Sequence, residues 1–234
     1  MNYKVTIVEG LIGVGKSTLS EELGTALGPG TLVMQEPDEK NNANPYLDDF
    51  YKDMHRWAFT MQVHLLEKRW RMHRLAQEYA LAGKGHVVLD RSYFGDTAFA
   101  KLQEESGAMG QREFATYSAL YHAMTEIVLL PNVCVRLLTS PEIAAKRIKK
   151  RAAGRKGREL EAVTVDIGYL HALDARITDM VEVLARQGVK ILDVPWDVDQ
   201  YTPSDRKTAV DALATRIKSY TPPDIFLDLH RRTV

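Results

Sequence analysis

The stretch that decides the fold is Gly10-Leu11-Ile12-Gly13-Val14-Gly15-Lys16-Ser17. It matches the phosphate-binding pattern G-x-x-x-x-G-K-[ST] at every constrained position. Residues 4–8 are rich in β-branched side chains and predict a short buried strand, and residues 18–27 predict an amphipathic helix that stops at Gly28. A strand, a glycine loop and a helix N-terminus bring backbone N–H groups together on phosphate oxygens. The sequence therefore predicts a nucleotide-binding loop.

The loop also predicts where the phosphates and the metal ion bind. Lys16 is expected to reach the outer phosphates, and the Ser17 hydroxyl is expected to bind Mg²⁺. The loop residues predicted to contact ATP are Gly10, Gly13, Gly15, Lys16, Ser17 and Thr18. The alternative is a glycine-rich turn without a ligand, which the flanking strand and helix disfavour. The loop indicates nucleotide binding, but it does not say what happens to the nucleotide.

Length and composition indicate one α/β domain over residues 1–234. Lys and Arg total 31, as do Asp and Glu, so no net charge draws the chain to nucleic acid or to an anionic membrane. Cys134 has no partner for a disulfide and lies in an apolar run, which favours a core residue over a nucleophile and indicates a reducing compartment. Without a signal-peptide pattern or an apolar stretch of about 20 residues, we expect a cytoplasmic protein.

Strands and helices alternate along the chain. Strands are predicted over residues 4–8, 31–35, 86–89, 133–138 and 189–194. Helices are predicted over residues 18–27, in two stretches within 46–83, over 99–105 and 111–126, from Ser140-Pro141 into a basic segment, from 165 to about 188, and over 204–220. This alternation predicts a parallel five-stranded sheet with helices on both faces, which binds ligands at the carboxyl ends of its strands. Residues 222–234 are expected to be a peripheral tail.

Two acidic residues follow predicted strands at that edge of the sheet. Glu36 comes after the second strand, and Asp90 follows four apolar residues of the third, the setting of a metal-binding aspartate. They are natural candidates for a base and a metal ligand, although a strand-end carboxylate can also serve only to cap a loop. Arg91 is adjacent, and it is expected either to hold a phosphate or to pair with Glu36.

A basic, glycine-interrupted segment lies between two helices at about residues 147–161. A run of charges is usually a solvated face. A kinase must exclude water from the transferring phosphoryl group, however, so we interpret the segment as a mobile arginine-rich lid with Gly154 and Gly157 as hinges. The sequence thus predicts an α/β P-loop kinase fold with an arginine-rich lid.

Five groups of residues, in this order, resemble those of the deoxynucleoside kinases, in particular the bacterial deoxyadenosine/deoxyguanosine kinase branch. They are Glu9 to Thr18, Glu36-Pro37, Tyr51 with Trp57 to Gln62, Asp90-Arg91-Ser92 with Asp96, and Arg158 to Glu161. The resemblance covers the chain from about residue 3 to about residue 194. It implies a homodimeric enzyme that uses Mg²⁺ to transfer the γ-phosphoryl group of ATP to the 5′-hydroxyl of a deoxynucleoside.

The resemblance also implies a role for each matching residue. Glu36 would be the base that deprotonates the 5′-hydroxyl, with Lys16 and Arg91 as further catalytic residues. Tyr51 and Glu161 would bind the 3′-hydroxyl of the sugar. The residues implied to surround the nucleobase are Phe59, Gln62, Arg69, Arg91 and Asp96, while Trp57 fits the core and the pocket wall equally well. Those implied to hold the metal and the nucleotide phosphates are Ser17, Asp90, Arg91, Arg147, Arg155 and Arg158.

Two features depart from the family pattern. Asp90 stands where many animal members have Glu, which shortens the reach of the carboxylate but keeps its charge. The lid is longer than the compact Arg-x-Arg form, so the individual roles of Arg151 and Arg155 stay open.

The residue types around the nucleobase predict a substrate preference. Gln62 and Arg69 are seven residues apart and share one helix face, which Asp96 can meet from the other side. Gln matches the N6/N7 edge of adenine and Arg the O6/N7 edge of guanine, whereas O4 of thymine would face a carboxylate. We expect deoxyadenosine or deoxyguanosine first, then deoxycytidine, with thymidine poor. The alternative is that Arg69 and Asp96 form a structural salt bridge away from the site.

Two other functions fit the loop. A thymidylate-type nucleoside monophosphate kinase shares the loop and the Asp-Arg pair, but it needs cations for the acceptor phosphate, where this chain has Tyr51 and Glu161. A non-catalytic ATP-binding regulatory module is the other alternative. Release of ADP that depends on a deoxynucleoside distinguishes the three functions.

Overall fold

The computed structural model of the protein describes residues 3–37, 44–154, 159–196 and 202–221. The strands in these ranges are β1 (Val5–Glu9), β2 (Leu32–Met34), β3 (Val87–Asp90), β4 (Val133–Leu138) and β5 (Lys190–Pro195). The helices are α1 (Lys16–Leu27), α2 (Leu47–Lys52), α3 (Met54–Leu81), α4 (Asp96–Glu105), α5 (Gln111–Thr125), α6 (Pro141–Ala153), α7 (Glu159–Thr164), α8 (Ile167–Arg186) and α9 (Pro203–Ser219).

The strands form one parallel sheet in the order β2-β3-β1-β4-β5. Strand β1 pairs with β3 on one side and with β4 on the other, so that Val8 lies opposite Asp90 and Ile7 lies opposite Cys134. Every residue of β1 and β3 is buried, as expected for the central strands of a sheet covered on both faces. The predicted parallel five-stranded sheet with flanking helices is confirmed.

The strand order places the candidate site. From β1 the chain runs to one edge of the sheet, through β2 and β3, and then crosses to β4 and β5 on the other side. The direction therefore reverses beside the carboxyl end of β1, and open parallel sheets bind ligands in the crevice at such a point. The glycine loop follows β1, and Asp90 ends the neighbouring β3.

Local capping explains where two of the helices begin. The Ser140 hydroxyl accepts a hydrogen bond from the N–H of Ile143 at 3.3 Å, and Pro141 is the first residue of α6. The Asp166 carboxylate accepts one from the N–H of Tyr169 at 2.7 Å at the start of α8. Both side chains satisfy backbone donors that the first turn of a helix leaves unpaired. The sequence predicted both starts.

Three boundaries differ from the prediction in ways that affect the site. Helix α1 begins at Lys16, two residues earlier than expected, and α4 begins at Asp96, three residues earlier. Asp96 thereby places a carboxylate in the first turn of α4, where the helix dipole favours it. A separate short helix, α7, lies between the basic segment and α8, so Glu161 is on a helix and not in a loop.

Cys134 and Trp57 pack as parts of the interior. Cys134 is fully buried in β4, and this burial raises the pKa of its thiol well above the ordinary value, which agrees with a core residue. Trp57 is half-buried on α3, with its ring 5.7 Å from that of Tyr46. None of the described helices has the length and apolar composition needed to cross a membrane.

We expect Gly24→Ala to destabilise the protein, although Ala normally stabilises a helix relative to Gly by about 0.5–1 kcal/mol. Gly24 lies on α1 against β2, and a Cβ atom there would come within 2.3 Å of the Val33 side chain. Overpacking of this kind costs about 1–3 kcal/mol. Denaturant unfolding measures the change. Thr25→Ala, at the exposed next position, is the control and should be near neutral; a G24A protein more stable than wild type would contradict the packing.

Candidate active site

The glycine loop has a backbone conformation that residues other than glycine would adopt only with strain. Gly10, Gly13 and Gly15 have φ angles of 147°, 81° and 98°. A Cβ atom on Gly10 would lie 2.9 Å from the carbonyl oxygen of Leu137, and one on Gly13 would lie 2.9 Å from the side chain of Ile148. Gly15 is the N-cap of α1, whose first turn contains no acidic residue. The loop and the helix N-terminus therefore form an anion-binding site.

Lys16 is held inside this loop. Its ammonium donates hydrogen bonds to the carbonyl oxygens of Gly10 at 3.2 Å and of Leu11 at 2.7 Å, and the side chain is buried. Burial and the neighbouring Arg91 guanidinium lower the pKa of Lys16 to about 7. A phosphate oxygen in the loop would favour the charged form, so the protonation of Lys16 is coupled to the presence of an anion.

Asp90 and Ser17 meet across the sheet edge. The Ser17 hydroxyl donates to Asp90 Oδ2 at 2.5 Å, while Oδ1 is buried and has no hydrogen-bond partner among the described residues. Burial and the nearby Glu36 carboxylate raise the pKa of Asp90, which a cation would reverse. The pair offers the hard oxygen ligands that Mg²⁺ prefers. Among the described residues, no group of three or more His, Cys, Asp or Glu side chains is arranged to hold a metal ion.

Glu36 lies between two arginines. Arg69 Nη2 is 2.5 Å from Glu36 Oε1, and Arg91 Nε is 3.1 Å from Glu36 Oε2. Burial alone would raise the pKa of Glu36, but the Arg91 and Arg69 guanidiniums outweigh it and lower the pKa to about 2. The Glu36 side chain is 31% exposed and is therefore accessible to a substrate. This arrangement supports the pairing of Arg91 with Glu36, one of the two alternatives that the sequence left open.

Arg91 has an unusual backbone. Its φ of 63° is the one left-handed value among the described residues other than glycine, a conformation that costs about 1–2 kcal/mol. Its N–H donates to the carbonyl of Val8 at 3.1 Å, and its guanidinium lies 4.7 Å from the centre of the Phe99 ring. The strained turn thus directs the Arg91 side chain from the end of β3 towards Glu36.

The residues predicted to read the nucleobase come together. Gln62 and Arg69 are buried on one face of α3, and both contact Asp96 at the start of α4. Arg69 Nη1 forms an ion pair with Asp96 Oδ1, and the Gln62 amide donates to the Asp96 carbonyl at 3.3 Å. Arg69 also forms an ion pair with the Glu36 carboxylate, so the Arg69–Asp96 pair lies in the candidate site. The Arg69–Asp96 salt bridge thus forms beside Glu36 and not at a distance from it, and its role in base recognition stays a prediction.

The predicted sugar-binding residues lie on two short helices that pack against each other. Tyr51 is on α2, and Glu161 is buried on α7. Arg151 donates to Glu161 Oε2 at 2.7 Å from the last turn of α6. Phe59 is half-buried on α3 against the core.

One of the predicted lid arginines is close to the phosphate loop. Arg147 Nη1 lies 3.2 Å from the carbonyl oxygen of Val14, in hydrogen-bonding geometry. Arg155 and Arg158 lie outside the described residues. The start of the arginine-rich segment thus contacts the phosphate loop through Arg147.

Three polar residues of this region had no role assigned to them from the sequence. Tyr117 on α5 donates from its hydroxyl to Asp96 Oδ2 at 2.7 Å, and Gln103 on α4 donates to Gln62 Oε1 at 3.4 Å. Glu9 ends β1 and accepts from the Ser92 hydroxyl at 2.6 Å. The sequence could have revealed a polar role for Glu9, because an acidic residue at the end of a fully buried strand needs partners. It could not have revealed one for Tyr117, since a tyrosine on an amphipathic helix usually packs in the core.

A parallel sheet with a phosphate loop at its switch point, a carboxylate–hydroxyl pair for a metal and a carboxylate between two arginines defines a phosphate-loop kinase. The chain belongs to the deoxynucleoside kinase family, whose model matches residues 6–218. It is therefore an enzyme of the class that phosphorylates deoxynucleosides.

Individual relatives agree with this assignment. The chain is 31% identical to a deoxyadenosine kinase of Dictyostelium discoideum over 81% of this chain and 71% of that one. It is 37% identical to a deoxyadenosine/deoxycytidine kinase of Bacillus subtilis over 68% and 69% of the two chains. A solved deoxyadenosine kinase from M. mycoides with dCMP and dCDP bound superposes with a TM-score of 0.72 at 25% identity, covering 92% of this chain and all of that one.

The lowered pKa of Lys16 predicts that MgATP binding takes up a proton near pH 8. A pKa of about 7 leaves roughly nine tenths of Lys16 neutral at pH 8, and contact with phosphate would raise the pKa and protonate it. Affinity should therefore fall as the pH rises through about 7. Calorimetry in buffers of different ionisation enthalpy measures the uptake.

The control for this measurement is Lys16→Arg. Arginine stays protonated throughout the range, so this variant reports only the protons that MgATP and other groups bind or release. We expect an uptake approaching one proton in the wild type after this correction. An identical proton balance for both proteins at pH 8 would contradict a lowered pKa for Lys16.

Proposed function

We propose that this protein transfers the γ-phosphoryl group of ATP to the 5′-hydroxyl of a purine deoxynucleoside, with Glu36 as the base. The observation that carries the proposal is the position of Glu36, accessible beside the phosphate loop and bound to Arg69 and Arg91. Arg69 also contacts Asp96 and so connects the reacting end of the site to the nucleobase end. The family supports the reaction class, and the roles of individual residues are our assignment.

In the proposed step the nucleoside oxygen forms a bond to the γ-phosphorus while the bond from that phosphorus to the β–γ bridging oxygen breaks. The hydroxyl proton passes to Glu36, and ADP leaves with the bridging oxygen. A carboxylate with a pKa near 2 is a weak base, but it is ionised at every working pH. Because phosphoryl transfer has a loose transition state, the carboxylate contributes mainly by orienting the hydroxyl and by accepting its proton late in the reaction.

We assign the groups that would bind the nucleotide phosphates from their positions in and beside the loop. Lys16 and the backbone N–H groups of the loop would hold the β- and γ-phosphates, and Ser17 with Asp90 would hold Mg²⁺. The ion would neutralise charge on the phosphates when bound. Arg147 contacts the loop from α6, and Arg155 and Arg158 are assigned to the lid from the sequence alone.

The sugar and base are assigned to the opposite wall. Tyr51 and Glu161 would bind the 3′-hydroxyl, Phe59 would line the pocket, and Gln62, Arg69 and Asp96 would read the base. Buried carboxylates at positions 96 and 161 disfavour an acceptor that carries a phosphate, as a monophosphate kinase would require. Relatives named for deoxyadenosine and for deoxyadenosine/deoxycytidine support an amine-bearing base.

The remaining assignments come from the sequence and the resemblance. We propose that residues 1–234 form one domain, with a lid at about 147–161 and a tail at 222–234 that lies outside the described residues. We further propose a homodimer and a cytoplasmic enzyme of nucleotide salvage.

Replacing Glu36 by Gln should lower kcat by about 100-fold or more, the usual scale for loss of a general base. The variant keeps the shape and one hydrogen-bond acceptor but removes the charge, and KM for ATP should change little. Steady-state assays coupled to ADP release measure both constants. Glu67→Gln, an exposed glutamate of α3 paired with Arg71, is the matched control and should retain activity. Near-normal turnover of E36Q would remove Glu36 from the mechanism.

Replacing Arg69 by Met and Asp96 by Ala together should shift selectivity towards thymidine. Removing only one member of a buried ion pair leaves an uncompensated charge, whereas the double change removes both and leaves Glu36 paired with Arg91. A buried acceptor without a matching donor costs roughly 1–3 kcal/mol, or about 5- to 150-fold in selectivity. Values of kcat/KM for the four deoxynucleosides test this. Thymidine as the best substrate of the wild type would overturn the pocket assignment.

A further inference from the structure

Asp96 has more partners than the proposed base recognition requires. Its carboxylate is fully buried at the start of α4, with Arg69 on Oδ1. Two donors reach Oδ2, namely the Tyr117 hydroxyl at 2.7 Å and the Gln62 amide at 3.4 Å. The tyrosine bond is much the shorter of the two, and an O–H···O⁻ bond of this length is charge-assisted and strong.

Tyr117 reaches this carboxylate from an element outside the substrate pocket. It lies on α5, a helix that supplies none of the residues assigned to the substrate, and its side chain is 1% exposed. Burial and the Asp96 carboxylate raise the pKa of Tyr117 well above its ordinary value. The hydroxyl is therefore a permanent donor, and its hydrogen bond does not titrate in the working range of the enzyme.

The contacts form a continuous chain from α5 to the reacting end of the site. The Tyr117 hydroxyl donates to Oδ2 of Asp96, and Oδ1 of the same carboxylate forms an ion pair with Nη1 of Arg69. The other terminal nitrogen of Arg69 binds Glu36. Without the tyrosine hydroxyl, only the distant Gln62 amide would restrain Oδ2, and the carboxylate would be free to rotate about its bond to Arg69.

We propose that Tyr117 is a positioning residue for nucleobase selectivity, acting through Asp96 on Arg69; this inference rests on the assignment of those two residues to the base. Tyr117 itself does not contact the substrate. A buried recognition carboxylate selects between bases only when its direction is set; at metal sites, loss of the hydrogen bonds that orient the ligands typically costs about 10- to 100-fold in affinity or activity.

The test compares two deletions of a buried hydroxyl. Tyr117→Phe keeps the ring and removes only the bond to Asp96. Tyr93→Phe is the matched control, because Tyr93 is equally buried and its hydroxyl bonds to α5 at the Tyr121 carbonyl, at 2.5 Å, and at Thr125. Both changes remove a hydroxyl that anchors α5, so thermal unfolding should show comparable losses of stability. Only Y117F alters the bond to the recognition carboxylate.

The decisive measurement is the ratio of kcat/KM for deoxyadenosine to that for thymidine. We expect Y117F to lower this ratio by about 5- to 20-fold, mainly through KM for deoxyadenosine, with KM for ATP unchanged. Y93F should leave the ratio within about twofold of the wild type. A ratio that is unchanged in Y117F would overturn the inference.

A double-mutant cycle separates positioning from general disruption. In the background of Asp96→Ala the hydroxyl has no carboxylate to orient, so adding Y117F should change the ratio by less than about twofold. An equal effect of Y117F in both backgrounds would show that Tyr117 acts elsewhere and would overturn the inference. If Asp96→Ala does not fold, the Arg69→Met, Asp96→Ala protein serves as the background.

The same data distinguish this inference from the proposed function. If Asp96→Ala changes selectivity and Y117F does not, the base assignment stands and the role of Tyr117 fails. If Asp96→Ala itself leaves selectivity unchanged, the assignment of Asp96 to the base fails, and the positioning role fails with it.

Discussion

A buried guanidinium between two carboxylates holds this active site together. Arg69 is 5% exposed and binds Asp96 with one terminal nitrogen and Glu36 with the other. Breaking a buried ion pair by removing one partner costs about 3–5 kcal/mol, so α3, the start of α4 and the segment after β2 are constrained to keep their relative positions. One side chain consequently positions both Asp96, at the proposed nucleobase end, and Glu36, the proposed base.

The charged groups around Arg69 do not sum to zero. Four carboxylates face three cations, namely Glu9, Glu36, Asp90 and Asp96 against Lys16, Arg69 and Arg91. Most of these groups are buried, where charge interacts more strongly than in water. With all seven groups ionised, this set has a formal charge of −1, and an incoming triphosphate adds further negative charge. This balance gives a physical reason why the proposed mechanism requires both a divalent cation and arginines from outside the sheet.

The polar residues that the family resemblance assigned to the nucleobase are buried in the structure. Gln62 and Arg69 occupy buried positions on α3 beside Leu65 and Leu66, and such residues need partners. The need for a partner does not identify the partner. Asp96 was foreseen for Arg69 through a family resemblance, whereas Tyr117 was not, because an aromatic residue on a helix gives no sign that its hydroxyl reaches a carboxylate.

The sequence by itself determined the strand–loop–helix unit, the five parallel strands and the helix starts at Ser140 and Asp166, because these depend on residues a few positions apart. Only the tertiary structure decided that Arg69 bridges Asp96 and Glu36, which are 27 and 33 positions away from it in the chain. The packing of α3 against β3 and α4 sets those distances, and no local pattern encodes them. The physical reason is that buried charges choose partners by proximity in space.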